Sequence, residues 1–335
     1  MTPPDTKHVS RFRSDLERLI GIAPTAQAQL GIAVSGGGDS LALLLLAHAA
    51  YPGALRAVTV DHGLRPEATT EAAAVADICA TLGITHQTLK ITTPITDDGN
   101  LQERAREARY ALLNRWAGFG ADRRVEWVAI AHQQDDVAEG FLMRARRGAG
   151  VGGLAAMAAQ RAIGPERGAA WLLRPLLDWS RAELAAVVRD CGLTPMHDPS
   201  NGDPKYDRAR IRKLIAESGD LPADRLAMSA RNLRDAESAL EWAAEQEWRN
   251  RSAIERHESV SVDMGDLPHE LRRRLAGRAI EYLRREAGLR DPWRGTGIDR
   301  LVRGLEAEKA GTLAGIAARP GRRWVFRIAP PRQSH

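Results

Sequence analysis

Three segments follow one another without a break near the start of the chain. An apolar run (residues 29–34) leads into Ser35-Gly36-Gly37-Gly38-Asp39-Ser40, and a second apolar stretch starts at Leu41. The run reads as a buried strand and the stretch as a helix. Three successive glycines let the backbone approach an anion closely. Both serine hydroxyls can donate to that anion, and the helix start adds free N–H groups and the positive end of its dipole. No Gly-Lys-Ser/Thr follows, which excludes a Walker A loop. With Gly36 and Gly38 as the first two glycines, the third position of a dinucleotide fingerprint is Leu41, which excludes that as well. Asp39 would repel a phosphate unless a cation lay between them, so it implies Mg2+.

The same alternation continues. Residues 55–60 read as a second strand, 67–82 as a helix, 85–91 as a third strand, 102–116 as a helix, and 125–131 as a fourth strand. Leu172-Leu173 marks a fifth. Strands alternating with helices of about a dozen residues indicate βαβ units and a parallel sheet. Residues 148–153, rich in glycine, read as a flexible connection, and 194–207 as a loop. Beyond Leu221 the pattern changes to long Arg/Glu-rich amphipathic helices (223–248 and 270–285), with a last strand at 323–328. The expectation is therefore two domains, 1–217 and 218–335, the second mainly helical.

Composition narrows the class. Hydrophobic residues make up 44% and aromatics 5%, so Leu, Ala, Val and Ile must fill the core. The longest apolar run, 41–50, is broken by His48 and falls short of the ~20 residues of a membrane span. Residues 1–13 are polar and lack a secretory apolar segment. Cys79 and Cys191 stand alone, which excludes a disulfide framework, a CxxC pair and a cysteine-rich metal site. The expectation is a soluble, cytoplasmic protein with no membrane partner. Arginines number 43 against five lysines, and residues 264–335 carry a net charge of +8 while the first 263 carry −3. A basic end on a nearly neutral body suggests a polyanion partner.

Four further constellations carry chemistry. Val60-Asp61-His62-Gly63-Leu64-Arg65 stands at the end of the second strand, where open α/β sheets place ligand contacts. Arg106 and Arg109 share a helix face, which could bind phosphate or simply be solvated. After the fourth strand, Asp136 and Glu139 point the same way, with Asp135 one turn behind Glu139. Those carboxylates could cap the helix, bind Mg2+ or receive an ammonium group. Last come Arg174-Pro175-Leu176-Leu177, His197-Asp198-Pro199-Ser200-Asn201 and the basic stretch Tyr206-Asp207-Arg208-Ala209-Arg210-Ile211-Arg212-Lys213, which could hold an RNA backbone.

In order and spacing, SGGGDS, VDHGLR, ARxxRY, AHxxDDxxE, RPLL and DPSN…YDRxxIR resemble the tRNA(Ile)-lysidine synthetase family. That family belongs to the PP-loop, or N-type ATP pyrophosphatase, superfamily. The resemblance runs from about Leu30 to Lys213, with a weaker likeness in the tail at Ala310-Gly311-Thr312-Leu313-Ala314-Gly315. It implies an adenine nucleotide alpha hydrolase-like α/β domain and a C-terminal tRNA-binding domain. It also implies ligation of lysine to the wobble cytidine of the CAU-anticodon isoleucine tRNA. ATP adenylates the cytosine at carbon 2, and the lysine ε-amine then displaces AMP. By resemblance, Ser35, Gly36, Gly37, Gly38, Asp39, Ser40, Asp61 and His62 bind ATP, with Asp39 on Mg2+. Asp136 and Glu139 recognise L-lysine. Arg106 or Arg109, with Arg208, stabilises charge on the activated intermediate. The partners implied are that tRNA and lysine, and a homodimer is compatible with them.

Three positions depart from the family pattern: Gln133 stands where His is common, Gly140 where Thr is, and Ala209 where Asn is. Gln133 can still donate a hydrogen bond but carries no charge. Three other readings compete, one of them a PP-loop amide-forming ligase acting on a small molecule, for which the basic C-terminal region would lack a purpose. A tRNA-thiolating PP-loop enzyme needs clustered or paired cysteines, which Cys79 and Cys191 do not provide. A non-catalytic RNA-binding protein on a dead nucleotide fold predicts decay of Asp39 and the acidic cluster, and both are intact.

Overall fold

The computed structural model describes residues 1–61, 67–91, 101–118, 125–164, 168–196, 207–255, 258–289, 293 and 295–330. His62 to Arg65, the DPSN segment and Tyr206 lie outside the described residues. Two compact units divide at Leu233/Arg234. The expected boundary, 217/218, falls between α8 (Asp207–Glu217) and α9 (Ala223–Arg251), whereas this division falls inside α9. The first turns of α9 account for the difference. Ala227 and Ala230 are buried in a cluster with Val137 and Ala156, so they belong with the first unit.

The first unit is built on a six-stranded sheet. Its strands are β1 (Leu30–Ala33), β2 (Leu55–Asp61), β3 (Thr85–Lys90), β4 (Trp127–Ala129), β5 (Gln160–Ala162) and β6 (Trp171–Leu173), in the order β3-β2-β1-β4-β6-β5. All neighbouring pairs are parallel except β5 on β6. Parallel sheets need cover on both faces. One core gathers α1 (Thr6–Ile20), α2 (Gly38–Ala50), α3 (Glu67–Thr81) and α7 (Arg181–Asp190) around Leu30 and Ile32. The other sets Tyr110, Leu113 and Trp116 of α4 (Leu101–Ala117) against Val58, Val128, Ile130 and Leu172. Helix α2 is apolar on nearly every side, with Leu41 to Ala47 all buried, as a helix packed all round must be. The glycine-rich 148–153 segment, expected as a flexible connection, ends in the one-turn helix α6 (Val151–Leu154).

The order of strands positions the site. From β1 the chain winds outward through β2 and β3, then crosses to the other side of β1 to make β4. The β1/β4 junction is therefore a topological switch point, and the loops leaving both strands open onto one crevice. The loop after β1 is the glycine loop; the loop after β4 carries His132 and Gln133 into α5 (Gln134–Ala145).

The second unit takes the rest of α9 and adds α10 (His269–Glu286), α11 (Ile298–Glu306) and a five-stranded antiparallel sheet. That sheet comprises β7 (Ser252–Glu255), β8 (Ser259–Asp263), β9 (Gly311–Leu313), β10 (Ile316–Arg319) and β11 (Arg323–Ile328), ordered β7-β8-β11-β10-β9. Helices α9 and α10 and strand β11 match the sequence expectation; α11 and the other strands are additions to it. Leu275, Ala279, Ile280 and Leu283 of α10 meet Val260, Val262, Trp324 and Phe326 in its core. No described helix is long and apolar enough to cross a membrane.

Gly31 shows how tightly the sheet and α4 are fitted. A methyl group there would lie 2.8 Å from Trp116 Cζ3 and 3.1 Å from Val125 Cγ2. Gly31→Ala is expected to cost about 1–3 kcal/mol in urea unfolding. Gly219→Ala, where an added methyl meets open space, should fall within about 0.5 kcal/mol of the parent.

Candidate active site

The glycine loop holds itself in shape. Ser40 Oγ donates to Gly37 O (2.9 Å) and accepts from Ser35 N (3.1 Å) and Ser35 Oγ (3.1 Å). Both hydroxyls offered to a ligand by the sequence are thus engaged inside the loop. The donors left for an anion are backbone N–H groups. Gly37 caps α2 without any side-chain hydrogen bond, so the first N–H groups of the helix have no side-chain acceptor. Gly36 has φ 85°, the left-handed region where a side chain is strained. Its carbonyl accepts from Met196 N (3.1 Å), and a Cβ on Gly36 would sit 2.8 Å from Met196 Sδ. The segment ending at Met196 therefore packs directly on the loop.

Loop and strand ends surround a cavity of about 1600 Å3. Ser35, Gly37, Gly38, Asp39, Ser40, Asp61, Arg109, Asp136 and Arg208 line it; Gly36, Arg106 and Glu139 do not. Asp61 is buried at the end of β2, within 3.4 Å of Thr69 Oγ1. Two residues that sequence reasoning did not assign, His132 and Arg181, also line the cavity.

The acidic cluster is more elaborate than its sequence suggested. Gln133 and Asp136 form a capping box on α5: Asp135 N donates to Gln133 Oε1 (2.6 Å), and Gln133 N donates to Asp136 Oδ2 (3.0 Å). Capping is therefore one role of Asp136, but only through one of its oxygens. Its Oδ1 accepts from Arg208 Nη2 (2.6 Å), and the same guanidinium donates through Nε to Glu139 Oε2 (2.7 Å). Arg212 Nε adds a bond to Glu139 Oε1 (2.8 Å), and Arg181 Nη2 lies 3.4 Å from that oxygen. Glu139 is 1% exposed and so is held by three guanidiniums. Burial alone would raise its pKa, but the hydrogen bonds from Arg212 and Arg208 outweigh burial and hold the carboxyl below its usual range. The remaining cations of α8 are engaged nearby, Arg210 with Asp207 and Lys213 with Glu217.

Asp39 behaves oppositely. Burial first, and then the Asp136 carboxylate, push its pKa up to about 6; Arg181 and the Gln133 side chain act the other way. The Gln133 amide nitrogen is sealed from solvent and reaches toward Asp39 without a hydrogen bond of ordinary geometry. An anion-receptive helix start and a desolvated carboxylate thus face one cavity, flanked by arginines. Such a site can hold a nucleotide triphosphate and stabilise charge that develops on it.

These features define a PP-loop nucleotide-binding enzyme, and the PP-loop domain family matches residues 8–218. The chain is 43% identical over 307 residues to a tRNA(Ile)-lysidine synthase of Zymomonas mobilis subsp. mobilis, covering 91% of this chain and 90% of that one. It is 42% identical over 327 residues to a tRNA(Ile)-lysidine synthase of Novosphingobium aromaticivorans, with 97% and 95% covered. Among solved structures, the U34-tRNA thiolase NcsA of Methanococcus maripaludis shares the fold (TM-score 0.53, 18% identity, 68% of this chain and 79% of that one). The chain belongs to the tRNA(Ile)-lysidine synthase family.

Two outcomes follow from the electrostatics. An acid whose folded pKa is raised opposes folding wherever it is ionised. Asp39→Asn should therefore raise the unfolding midpoint above pH 6, with the gain vanishing below pH 4, in thermal melts across that range. Glu139→Gln should destabilise by about 2–4 kcal/mol at pH 7, because three guanidiniums lose their charge partner. That deficit should shrink in acid, as the parent's carboxyl takes up its proton.

Proposed function

We propose that this chain joins lysine to the wobble cytidine of a CAU-anticodon isoleucine tRNA at the expense of ATP. The observation that carries the reading is that the glycine loop, Asp39, Asp61, Arg109, Asp136 and Arg208 all line one cavity at the β1/β4 switch point, in a chain of this family. In the first step the cytosine oxygen at carbon 2 attacks the α-phosphorus of ATP, and pyrophosphate leaves. In the second, the lysine ε-amine attacks carbon 2, and AMP leaves with that oxygen.

The N–H groups at the start of α2 receive phosphate oxygens, with Ser35 to Ser40 fixing the loop and Asp61 on the nucleotide. Asp39 fits a hard cation, because its carboxylate is partly desolvated and crowded by Asp136 and Asp135. Among the described residues no group of three or more His, Cys, Asp or Glu is arranged to hold a metal. Mg2+ would therefore be held by Asp39 and completed by phosphate oxygens and water, its usual mode. It would draw charge off the phosphates.

Asp136 and Glu139 serve lysine differently. Asp136 faces the cavity and offers a carboxylate to the ammonium group, while Glu139 acts from behind by fixing Arg181, Arg208 and Arg212. Arg109, and Arg208 beside Asp136, stabilise the charge that develops as the leaving groups depart. In the second unit, Arg272, Arg273, Arg274 and Arg278 pair with acids of their own unit. Arg300, Arg303, Lys309, Arg319 and Arg327 are exposed instead, and they form the candidate tRNA surface.

The test is incubation with ATP, labelled lysine and CAU-anticodon isoleucine tRNA. Lysine should enter the tRNA with release of AMP and pyrophosphate, and Asp39→Asn should stop AMP release while tRNA binding persists. A wild-type protein that transfers no lysine and forms no AMP overturns the reading.

A further inference from the structure

One cluster in the first unit carries more positive charge than the nucleotide chemistry uses. Arg106 and Arg109 of α4 and Arg161 of the edge strand β5 place their guanidinium carbons 5.1, 5.2 and 4.6 Å from the centre of the Tyr110 ring. Arg174, just after β6, is 3% exposed and joins them. It donates through Nε to His132 Nδ1 (3.1 Å) and through Nη1 to Ala158 O (2.5 Å), both neutral acceptors. Arg161 donates only to Ala162 O (2.9 Å). Among the described residues no carboxylate pairs with any of the four.

The contrast with Arg181, Arg208 and Arg212 is sharp, since those three share Glu139. Four guanidiniums around one ring repel each other, and buried arginine is normally paired. The field of the cluster is visible in its neighbours. Burial, then Arg174 and Arg109, hold the His132 imidazole neutral, well below its usual range. Burial would raise the Tyr110 pKa, but Arg109, Arg106 and Arg174 outweigh it and lower the phenol. Tyr110 Oη and Arg109 Nε are sealed from solvent, and Arg109 and Arg174 reach toward the phenol without a hydrogen bond of ordinary geometry. A cluster of cations with no carboxylate among them favours an anion.

Its position says which anion. The glycine loop belongs to α2, in the core that holds Leu30 and Ile32, whereas Tyr110 belongs to α4 in the other core. Only Arg109 of the four arginines reaches the nucleotide cavity. Arg161 lies on the outermost strand, where an extended ligand can approach. We propose that the half-buried Arg106 and Arg161 grip a backbone phosphodiester of the RNA that presents its base to the cavity, with Arg109 and the buried Arg174 strengthening the field around Tyr110. Guanidinium forks suit phosphate oxygens in pairs, and such contacts fix the register of the strand without reading its sequence. The proposal rests on the RNA-acceptor reading above and adds where that acceptor is held.

The test uses Arg161, which is only partly buried and so can be changed with little risk to the fold; circular dichroism checks that the variants are folded. Binding of CAU-anticodon tRNA is measured against KCl for wild type and for Arg161→Ala, Arg161→Glu and Arg161→Lys, together with product inhibition by inorganic pyrophosphate. Arg161→Ala should weaken binding by roughly 3- to 10-fold and flatten the salt slope by about 0.7–0.9. Arg161→Glu should weaken it further, and Arg161→Lys should restore most of the slope. Pyrophosphate inhibition should stay as in wild type. Unchanged tRNA affinity and slope would overturn the proposal. So would an effect confined to pyrophosphate, which would assign the cluster to the leaving group. Should the wild type bind tRNA yet transfer no lysine, the functional reading fails, while the Arg161 series still decides whether the cluster grips RNA.

Discussion

A carboxylate 1% exposed to solvent is the point on which the catalytic unit turns. Glu139 cannot be buried alone, because the desolvation of an unpaired charge costs several kcal/mol. Its three guanidiniums come from two later helices, Arg181 from the first residue of α7 and Arg208 and Arg212 from one face of α8. Satisfying one side chain of α5 therefore brings three helices together at the carboxyl edge of the sheet. The same bonds set the charge of the cavity wall: Arg208 bridges from Glu139 to Asp136, and Asp136 in turn helps to raise Asp39.

Asp39 and Glu139 are opposite uses of burial. Glu139 is surrounded by donors and kept ionised, so it contributes to the stability of the fold at neutral pH. Asp39 is desolvated beside other acids and kept reluctant to ionise, so it detracts from stability and gains by meeting a cation. The glycine loop follows the same division. Its serines stabilise one another, and its backbone N–H groups are left for a ligand. Residues that satisfy each other hold the shape, and residues left short of partners are available for chemistry.

Much of this was legible in the sequence. The strand, glycine loop and helix at Leu30 to Ala50 have the spacing and composition that local physics demands. The parallel sheet followed from the alternation of strands and helices. The short strands were harder. β4 has only three residues, yet the sequence suggested 125–131, because Val125 and Ile130 are buried for packing outside the strand. In the second unit β7, β9 and β10 have three or four residues each, too few for a clear period-2 pattern. At the site, Arg181 belongs to no motif. Its only signal was the capping box of Ser180 and Glu183, which announces a helix start but not what lies beside it. The partnership of α5 with α8 left a fainter trace. Acids three apart at Asp136 and Glu139 complement arginines four apart at Arg208 and Arg212, but nothing in sequence alone says that the two helices meet.

The surplus of arginine over lysine acquires a physical meaning once pairing is considered. A guanidinium is planar, stays charged, and bonds in fixed directions. Where it meets carboxylates, as around Glu139 or between α10 and Glu237, that directionality lends geometry and the charge is cancelled. Where it meets only an aromatic face or a neutral acceptor, as around Tyr110, the charge remains and projects outward. Net charge counts both kinds alike, so +8 over the last 72 residues overstates the field of the second unit, where the arginines of α10 are largely paired. By the same reasoning, −3 over the first 263 residues conceals a concentrated positive site on the catalytic unit. Attraction for a polyanion depends on which cations lack partners and how closely they stand together.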